Sequence, residues 1–264
     1  PCLHKMKYTF LISAATLLLI SCSKTGDVPA IPQFPERYKD EIFTNVLITN
    51  NIKYGQALRY TGSGTEDLML DLYQPEADTT SSRPLVIGVH GGAFISGDKQ
   101  AANWPEVCKA FAKRGYVAAS INYRLGRAAG EEYEPAWRAQ QDLRAAIRFA
   151  RANAAAIKIN SSKIYIMGSS AGGATCLITA YMDAGEAPAS VNQAIWGNIE
   201  GSSGSPGYSS AVSGVVSMWG GVSDTLGITG PIPVGLLHSF YDPTAPYQSQ
   251  YDPVRNVTTY GSFS

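Results

Sequence analysis

The chain has 264 residues, enough for one large α/β domain with a substantial core. Apolar residues make up 45% of it and charged residues 16%, which are ordinary values for a globular protein. The formal net charge is zero and no long basic run is present, which argues against electrostatic capture of nucleic acid.

The first predicted element is an export signal. It begins at Met6, because Lys7 supplies a positive start, an apolar run over 10–20 follows, and small residues end it near Cys22. The run is short for a membrane span. Leu19-Ile20-Ser21-Cys22 resembles the bacterial lipobox, which implies lipidation at Cys22; ordinary signal cleavage nearby is the alternative. We therefore expect an exported bacterial protein, periplasmic or anchored at the outer membrane by lipid alone, with residues 1–5 upstream of the true start.

A tether and one domain are predicted after the signal. Residues 23–40 are polar and rich in proline, which is typical of a flexible tether. An α/β domain is expected over 41–264. It begins with short strands over 43–60, and Leu68, Leu70 and Leu72 then recur with the period of a half-buried strand.

Strands and helices alternate through the rest of the domain. Strands are predicted over 85–90, 116–122, 163–167, 212–219 and 234–240, and helices over 103–114, 135–156 and after residue 170. The run over 85–90 is almost continuously apolar, as in a strand covered on both faces. This alternation predicts an α/β fold with a mostly parallel central sheet and helices on both faces.

Two features of this pattern carry further expectations. Arg144, Arg148 and Arg151 form a basic stripe on the long helix, which we expect to be a solvated face. Residues 183–210 are rich in Gly, Ser, Pro and Ala, which predicts an irregular excursion able to overhang the active site.

The cysteine and histidine content predicts neither a disulfide framework nor a cofactor. Cys108 and Cys176 fall in predicted helices, and we expect buried free thiols, with a single bridge as the open alternative. No His pair or Cys cluster has the spacing of metal ligands, and no Walker-type loop is present. We therefore predict no metal and no cofactor.

The chemistry centres on Gly168-Ser169-Ser170-Ala171-Gly172, which lies between a predicted strand and a helix of small residues. Glycines two positions before and after Ser170 leave room for a sharp turn that exposes the hydroxyl. The turn also places Ser170 at a helix N-terminus, where backbone N–H groups stabilise negative charge. This context indicates a nucleophile rather than a plain turn.

Acyl transfer also needs donors for an oxyanion. The N–H of Ala171, just after the serine, is one natural donor. His90-Gly91-Gly92-Ala93-Phe94 follows an earlier predicted strand, and its small residues let backbone N–H groups approach a carbonyl oxygen.

These segments together resemble the esterase/lipase group of α/β-hydrolases with an His-Gly-Gly-Gly-type oxyanion loop, in particular its hormone-sensitive-lipase-like and type-B carboxylesterase-like members. The matching segments are Leu70-Asp71-Leu72-Tyr73, His90-Gly91-Gly92-Ala93-Phe94, Asn122-Tyr123-Arg124-Leu125, the turn around Ser170, and Tyr241-Asp242-Pro243. The resemblance implies that Ser170 is the nucleophile and Asp242 the triad acid. It implies an oxyanion hole formed by the N–H groups of Gly92, Ala93 and Ala171, with His90 and Gly91 supporting the loop. Ala93 replaces the third glycine but still donates an N–H.

The histidine base is not placed by these motifs. In the families that the chain resembles, it follows the acid in chain order. His4 precedes the signal, His90 belongs to the oxyanion loop, and His238 is expected to be structural. A triad of Ser170, Asp224 and His238 is an alternative that the spacing disfavours. We therefore expect a C-terminally incomplete chain that lacks the last helix and strand, with a helix starting at residue 256 and the base beyond residue 264.

The predicted function is serine-dependent hydrolysis of a carboxylic ester through an acyl-enzyme. Short-chain, carbohydrate-borne and aryl esters all remain open as substrates. The full-length protein is expected to be active and the incomplete chain inactive. The alternative is a non-catalytic surface or binding lipoprotein on a hydrolase fold that lacks its triad histidine.

Overall fold

The computed structural model describes residues 35–101, 103–223, 230–245, 250–252 and 257–260. The predicted signal, Cys22 and residues 23–34 lie outside the described residues. One compact unit spans Pro35–Ser264. Its first residues are bound to the domain, because Arg37 forms an ion pair with Asp78 and donates to the carbonyl of Gly115 at 3.1 Å. The tether predicted over 23–40 therefore does not extend to residue 40.

A seven-stranded sheet forms the centre of this unit. The strands of the described residues, of which β7, β9 and β10 lie outside this sheet, are in chain order β1 (Val46–Leu58), β2 (Thr65–Pro75), β3 (Arg83–Val89), β4 (Val117–Ile121), β5 (Ile159–Ser169), β6 (Gly214–Met218), β7 (Val222–Ser223), β8 (Val234–Leu237), β9 (Gln250–Asp252) and β10 (Val257–Tyr260). The sheet has the order β1-β2-β4-β3-β5-β6-β8. In this sheet β2 pairs antiparallel with both β1 and β4, and the other neighbouring strands are parallel. The carboxyl ends of β3, β5, β6 and β8 consequently meet at one edge.

Helices cover both faces of this sheet. They are α1 (Trp104–Lys113), α2 (Glu134–Ala152), α3 (Ala171–Tyr181) and the short α4 (Gln193–Trp196). Leu143 of α2 and Cys176 of α3 pack on one face with Leu72, whereas Cys108 of α1 packs on the other with Tyr73. The predicted fold class is therefore confirmed. No helix within the described ranges has the length and apolar character needed to cross a membrane.

The two cysteines of the domain are free thiols. Cys108 and Cys176 are both buried, and they belong to the helix layers on opposite faces of the sheet. Burial raises the pKa of the Cys108 thiol to about 12 and raises that of Cys176 as well. The predicted buried free thiols are confirmed, and both are protonated at neutral pH.

The half-buried pattern predicted for β2 is wrong from Leu70 to Tyr73. Both faces of the strand are buried there, and Asp71 has no exposed surface. The alternation of leucines shows which face points to α2, but it does not reveal that α1 covers the opposite face.

The basic stripe on α2 is not a solvated face. Arg144 and Arg148 are buried, and each lies 2.7 Å from a different carboxylate oxygen of Glu200. Arg144 also donates to the carbonyl of Met182 and Arg148 to that of Ser203. The excursion after α3 therefore covers this stripe, and the prediction of a solvated face is wrong.

The hydrogen bonds of residues 183–210 also show which part of the domain this excursion contacts. No hydrogen bond among the described residues joins it to Ser170 or to residues 90–94. Its Ser203 instead accepts from the backbone of Gln56 in β1 at 3.0 Å. The predicted overhang of the active site finds no support in these contacts.

A second, three-stranded sheet contains the end of the described chain. β10 pairs antiparallel with both β7 and β9. The expectation that a helix starts at residue 256 is wrong, because Val257–Tyr260 is a strand.

Candidate active site

The turn at Ser170 has the predicted strand–turn–helix geometry. β5 ends at Ser169 and α3 begins at Ala171, and Ser170 between them has φ 53° and ψ −122°. A positive φ in a residue other than glycine stores strain of about 1–3 kcal/mol. A Cβ on Gly168 would collide with the backbone of Gly172, and a Cβ on Gly172 would collide with the carbonyl oxygen of Val89, so each position is restricted to glycine by its own contact. The predicted sharp turn is confirmed.

Ser170 is held by its backbone, and its hydroxyl has no partner in the described part of the chain. Its N–H donates to the carbonyl of Met218 at the end of β6 at 2.9 Å, and its carbonyl accepts from Ala174 at 3.0 Å. No side chain caps α3. The amide groups of its first turn, that of Ala171 included, are therefore available at the positive end of the helix dipole.

The predicted oxyanion loop lies directly against this turn. A Cβ on Gly91 would lie 3.0 Å from the carbonyl oxygen of Ser169 and 3.2 Å from the Cβ of Ser170. A Cβ on Gly172 would lie 2.5 Å from the carbonyl oxygen of His90. The approach follows from topology, since β3 and β5 are parallel neighbours that end at the same edge. The structure thus brings two predicted motifs, which are far apart in sequence, into contact.

The carbonyl groups of the loop are anchored, and this fixes where its amide groups point. The Gly91 carbonyl oxygen lies 3.2 Å from the hydroxyl of Tyr123 and 2.7 Å from Nδ1 of His90. The Gly92 carbonyl accepts from the N–H groups of Ile95 and Ser96. In a trans peptide the N–H points away from the C=O. The N–H groups of Gly92 and Ala93 therefore point away from these anchors, and no acceptor in the described chain binds them.

Backbone strain is concentrated in the same loop. Gly92, Ala93 and Phe94 have φ values of 106°, 53° and 64°. The left-handed region costs a residue with a side chain about 1–2 kcal/mol. Ala93, at the position of the third glycine, thus adopts the conformation that a glycine would adopt more easily.

His90 supports this loop. Its side chain is fully buried, and its ring stacks on that of Tyr123 with centroids 4.3 Å apart. Burial lowers the pKa of His90, so the imidazole is neutral at neutral pH. Because Nδ1 faces a carbonyl oxygen, it carries the proton and donates to Gly91. Nε2 is buried without a partner among the described residues.

Asp242 lies in the loop after β8, at the same edge of the sheet. Its Oδ1 accepts from the N–H groups of Thr244 and Ala245 at 2.9 Å each. The bond from Ala245 and then that from Thr244 hold its pKa below the usual Asp value; burial opposes them, and the nearby His238 has a weaker lowering effect. β8 is two strands from β5, so the ends of these strands are about 10 Å apart. The loop that contains Asp242 therefore follows a strand two positions away from the strand that ends at the Ser170 turn.

His238 belongs to the Asp242 loop. Its side chain is fully buried, with Nε2 2.6 Å from the carbonyl oxygen of Ala245 and 3.9 Å from Oδ2 of Asp242. This agrees with the structural role predicted for it. Asp224, the other member of the alternative triad, lies outside the described residues.

Sequence reasoning missed two anchors of the site. Tyr123 was singled out but not as an anchor of the loop, although its place two residues after β4, the strand next to β3, is a signal for contact with the loop. The carbonyl of Met218 left no signal, because any residue at that position offers the same group.

A parallel sheet with a serine turn and an adjacent loop of free amide groups defines an α/β-hydrolase. The BD-FAE family model matches residues 70–229. The chain therefore belongs to the BD-FAE family, an esterase family with this fold.

Two relatives of this chain are a carboxylesterase and a hydrolase. Human carboxylesterase 3 is 34% identical over 117 residues, which is 42% of this chain and 20% of the relative. Phenmedipham hydrolase of Pseudarthrobacter oxydans is 35% identical over 109 residues, 40% of this chain and 21% of the relative. The chain thus spans about a fifth of the length of these relatives.

Solved structures with this fold include esterase 2 of Thermogutta terrifontis. Its propionate-bound form has a TM-score of 0.53 and 23% identity, covering 69% of this chain and 70% of the esterase. Its cyclosarin-phosphonylated form has a TM-score of 0.55 and 23% identity, covering 81% and 77%. At this level of identity the likeness shows the fold.

Proposed function

We propose that the protein is a serine-dependent carboxylic-ester hydrolase. The observation that carries the proposal is the contact between the Ser170 turn and the loop that contains Gly91. Acyl transfer needs a nucleophile and hydrogen-bond donors for the oxyanion. The turn supplies the serine and a helix N-terminus, and the loop supplies N–H groups that no acceptor in the described chain binds.

In the proposed mechanism, the Ser170 hydroxyl loses its proton to a base and attacks the ester carbonyl carbon. The carbonyl oxygen becomes an oxyanion, which accepts hydrogen bonds from the N–H groups of Gly92, Ala93 and Ala171. Collapse of this intermediate expels the alcohol, which takes the proton from the base, and leaves an acyl group on Ser170. Water then repeats the sequence and releases the acid.

Asp242 serves as the triad acid in this proposal. Its lowered pKa keeps it ionised at neutral pH, and the spacing of about 10 Å between the ends of β5 and β8 suits an imidazole between the two side chains. Among the described residues neither histidine takes that place, because His90 is bound within the oxyanion loop and His238 within the Asp242 loop.

We propose small-molecule or polysaccharide-borne esters with a short acyl or aryl group as substrates. Trp219 directly follows Met218, whose carbonyl binds the Ser170 backbone, and it is 44% exposed. An exposed aromatic ring on the residue that follows this backbone contact is available for an apolar acyl or aryl group. The names of carboxylesterase 3 and phenmedipham hydrolase support ester-like substrates of small size.

Labelling with a fluorophosphonate probe tests the nucleophile, and the phosphonylated form of the Thermogutta esterase supports this choice of probe. We expect the full-length wild-type protein to hydrolyse p-nitrophenyl acetate and to be labelled at Ser170. Ser170→Ala should abolish both, and Ser169→Ala, which changes the neighbouring serine, should retain the label. Labelling that survives Ser170→Ala, or a wild-type protein that is neither labelled nor active, would overturn the proposal.

The second candidate is a non-catalytic surface or binding lipoprotein on the same fold. It is favoured by one observation, that no described histidine contacts Ser170. It predicts a folded wild-type protein whose Ser170 does not react with the probe, so the same labelling experiment separates the two candidates.

Export with a lipid anchor at Cys22 is part of the proposal. The lipobox-like Leu19-Ile20-Ser21-Cys22 supports it. In a bacterial host fed a radiolabelled fatty acid, the protein should incorporate label, and Cys22→Ala should not. Equal labelling of both would reject the anchor.

A further inference from the structure

A buried ion pair lies behind the oxyanion loop. Nζ of Lys99 is 3.2 Å from Oδ1 of Asp71, and the two side chains are 11% and 0% exposed. Asp71 also accepts from the backbone N–H of Asn51 at 2.8 Å and from the side-chain amide of Gln100. A buried carboxylate is costly unless it is paired and hydrogen-bonded, so this cluster fixes Lys99 against β2.

The backbone of Lys99 is fixed as firmly as its side chain. Its N–H donates to Oδ1 of Asn122 at 2.7 Å, and its carbonyl accepts from the hydroxyl of Ser120 at 2.7 Å. Ser120 lies in β4 and is fully buried, and Asn122 directly follows the strand. Lys99 is therefore bound at three points, to β2, to the neighbouring strand β4 and to the residue that follows β4.

The anchored segment reaches back to the oxyanion loop. Gly97 has φ 99°, and a Cβ on it would lie 2.6 Å from Nδ1 of His90 and 3.1 Å from the carbonyl oxygen of Gly91. These are the two atoms whose hydrogen bond orients the peptide that ends in the Gly92 N–H. Gly97 is two residues from Lys99, so the position of Lys99 limits how far this backbone can withdraw from His90.

We propose that Lys99 is a positioning residue for the oxyanion hole. Its pairing with Asp71, added to its two backbone bonds, holds Gly97 against His90 and Gly91, which keeps the donor N–H groups of Gly92 and Ala93 in a fixed direction. The inference rests on the proposed function for its consequence in catalysis, but the loop geometry it describes is independent of that function.

The kinetic test replaces Lys99 by Met and by Arg in the full chain. Lys99→Met removes the charge at similar length, and misplaced donors should lower kcat for p-nitrophenyl acetate about 10- to 100-fold. KM should change less than about threefold, because the donors bind the oxyanion and not the ground-state ester. Lys99→Arg restores the ion pair and should recover most of kcat. Lys53→Met breaks an exposed ion pair with Asp67 of 2.6 Å and should leave kcat unchanged.

A purely structural role for Lys99 predicts a different result. Lys99→Met would then lower stability, while kcat per folded molecule stayed at the wild-type value. That outcome would overturn the proposal.

Amide hydrogen exchange tests the geometry without relying on activity. The N–H groups of Ile95 and Ser96 donate to the Gly92 carbonyl, and that of Gly126 donates to Phe94. Lys99→Met should speed exchange at these three amides, whereas Lys53→Met should not. If Lys99→Met fails to fold, Ser120→Ala removes only the bond to the Lys99 carbonyl and should speed exchange at the same amides to a smaller extent. Unchanged exchange in the folded variants would reject the positioning role.

The kinetic and hydrogen-exchange measurements distinguish the proposed hydrolase function from the positioning role of Lys99. A wild-type protein without hydrolysis or labelling, whose exchange responds to Lys99→Met as expected, would overturn the proposed function and leave the positioning role supported. An active wild-type protein whose Lys99→Met variant keeps its kcat and its exchange pattern would overturn the positioning role alone.

Discussion

Gly91 and Ser170 approach so closely that a Cβ on Gly91 would lie 3.2 Å from the Cβ of Ser170. The same Cβ would lie 3.0 Å from the carbonyl oxygen of Ser169. Both distances are shorter than ordinary van der Waals contact, so a side chain at position 91 would push the turn and the oxyanion loop apart by a few tenths of an ångström. This packing sets the distance between the proposed nucleophile and the proposed oxyanion donors.

Gly91→Ala should therefore impair catalysis more than folding. The φ of Gly91 is not positive, so alanine adds a steric conflict without backbone strain. A shift of the loop by a few tenths of an ångström misaligns the donors, and we expect kcat for p-nitrophenyl acetate to fall about 10- to 100-fold. The matched control is Gly185→Ala, where an added Cβ meets no atom within 4 Å. Equal kcat values in the two variants would show that the contact does not position the donors.

Tyr123→Phe tests the anchor of the loop carbonyls. The hydroxyl lies 3.0 Å from the carbonyl oxygen of His90 and 3.2 Å from that of Gly91, and its loss should cost about 1 kcal/mol in the free energy of unfolding. Freed carbonyls let the peptide planes rotate, so kcat should fall about tenfold. Tyr116→Phe is the matched control, because its hydroxyl donates to the carbonyl of Tyr38 at 3.3 Å, at the other side of the domain. It should lose similar or less stability and keep its kcat.

The sequence predicted well the parts of the molecule that depend on local spacing. The turn at Ser170 needs two glycines between a strand and a helix, and all of these lie within a few residues of one another. The order of strands and helices could be predicted in the same way, from the spacing of apolar residues along the chain. The contact of Gly91 with Ser170 could be anticipated because both follow neighbouring parallel strands.

The failures concern partners that are distant in sequence. The helical spacing of Arg144 and Arg148 shows that they share a face, but their partner Glu200 comes from a segment more than 50 residues away. Likewise, nothing in the run of β2 shows that Lys99 forms an ion pair with Asp71 or that Gln100 donates a hydrogen bond to it. The strand Val257–Tyr260 depends on pairing with β7 and β9, and four residues alone do not encode it.

Glu200→Ala should destabilise the domain through the two buried guanidinium groups. Arg144 and Arg148 each lose a carboxylate oxygen at 2.7 Å. Breaking a fully buried pair costs roughly 3–5 kcal/mol. Because the Glu200 side chain is 45% exposed, water replaces part of the lost interaction, and we expect about 2 kcal/mol. Urea unfolding measures this loss in the free energy of unfolding.

Asp67→Ala, which breaks the exposed pair with Lys53, is the control and should change the free energy of unfolding by less than about 1 kcal/mol. Equal effects would show that the arginines are not held by Glu200.

Asp242→Asn separates the turn that Asp242 forms from its charge. An asparagine oxygen still accepts from the N–H groups of Thr244 and Ala245, so the loop should keep its conformation. The charge that orients and stabilises the base is lost, and kcat should fall about 10⁴-fold, as expected for the acid of a triad. Asp183→Asn, at a turn after α3, is the control and should leave kcat unchanged. A comparable kcat in Asp242→Asn and wild type would remove Asp242 from the proposed mechanism.

The same variant gives a pH-dependence with a definite sign. Hydrogen bonds from Ala245 and Thr244, together with His238, place the pKa of folded Asp242 below its ordinary value. The ionised carboxylate therefore stabilises the folded state fully above the unfolded pKa of about 3.9. This contribution decreases as the pH falls from about 4 through the lower pKa of the folded state, because the unfolded chain takes up the proton first. The difference in unfolding free energy between wild type and Asp242→Asn, measured by urea unfolding from pH 7 to pH 3, should be constant down to about pH 4 and then shrink. A difference that grows with acidification would mean that the pKa of Asp242 is raised, and that the loop does not stabilise its charge.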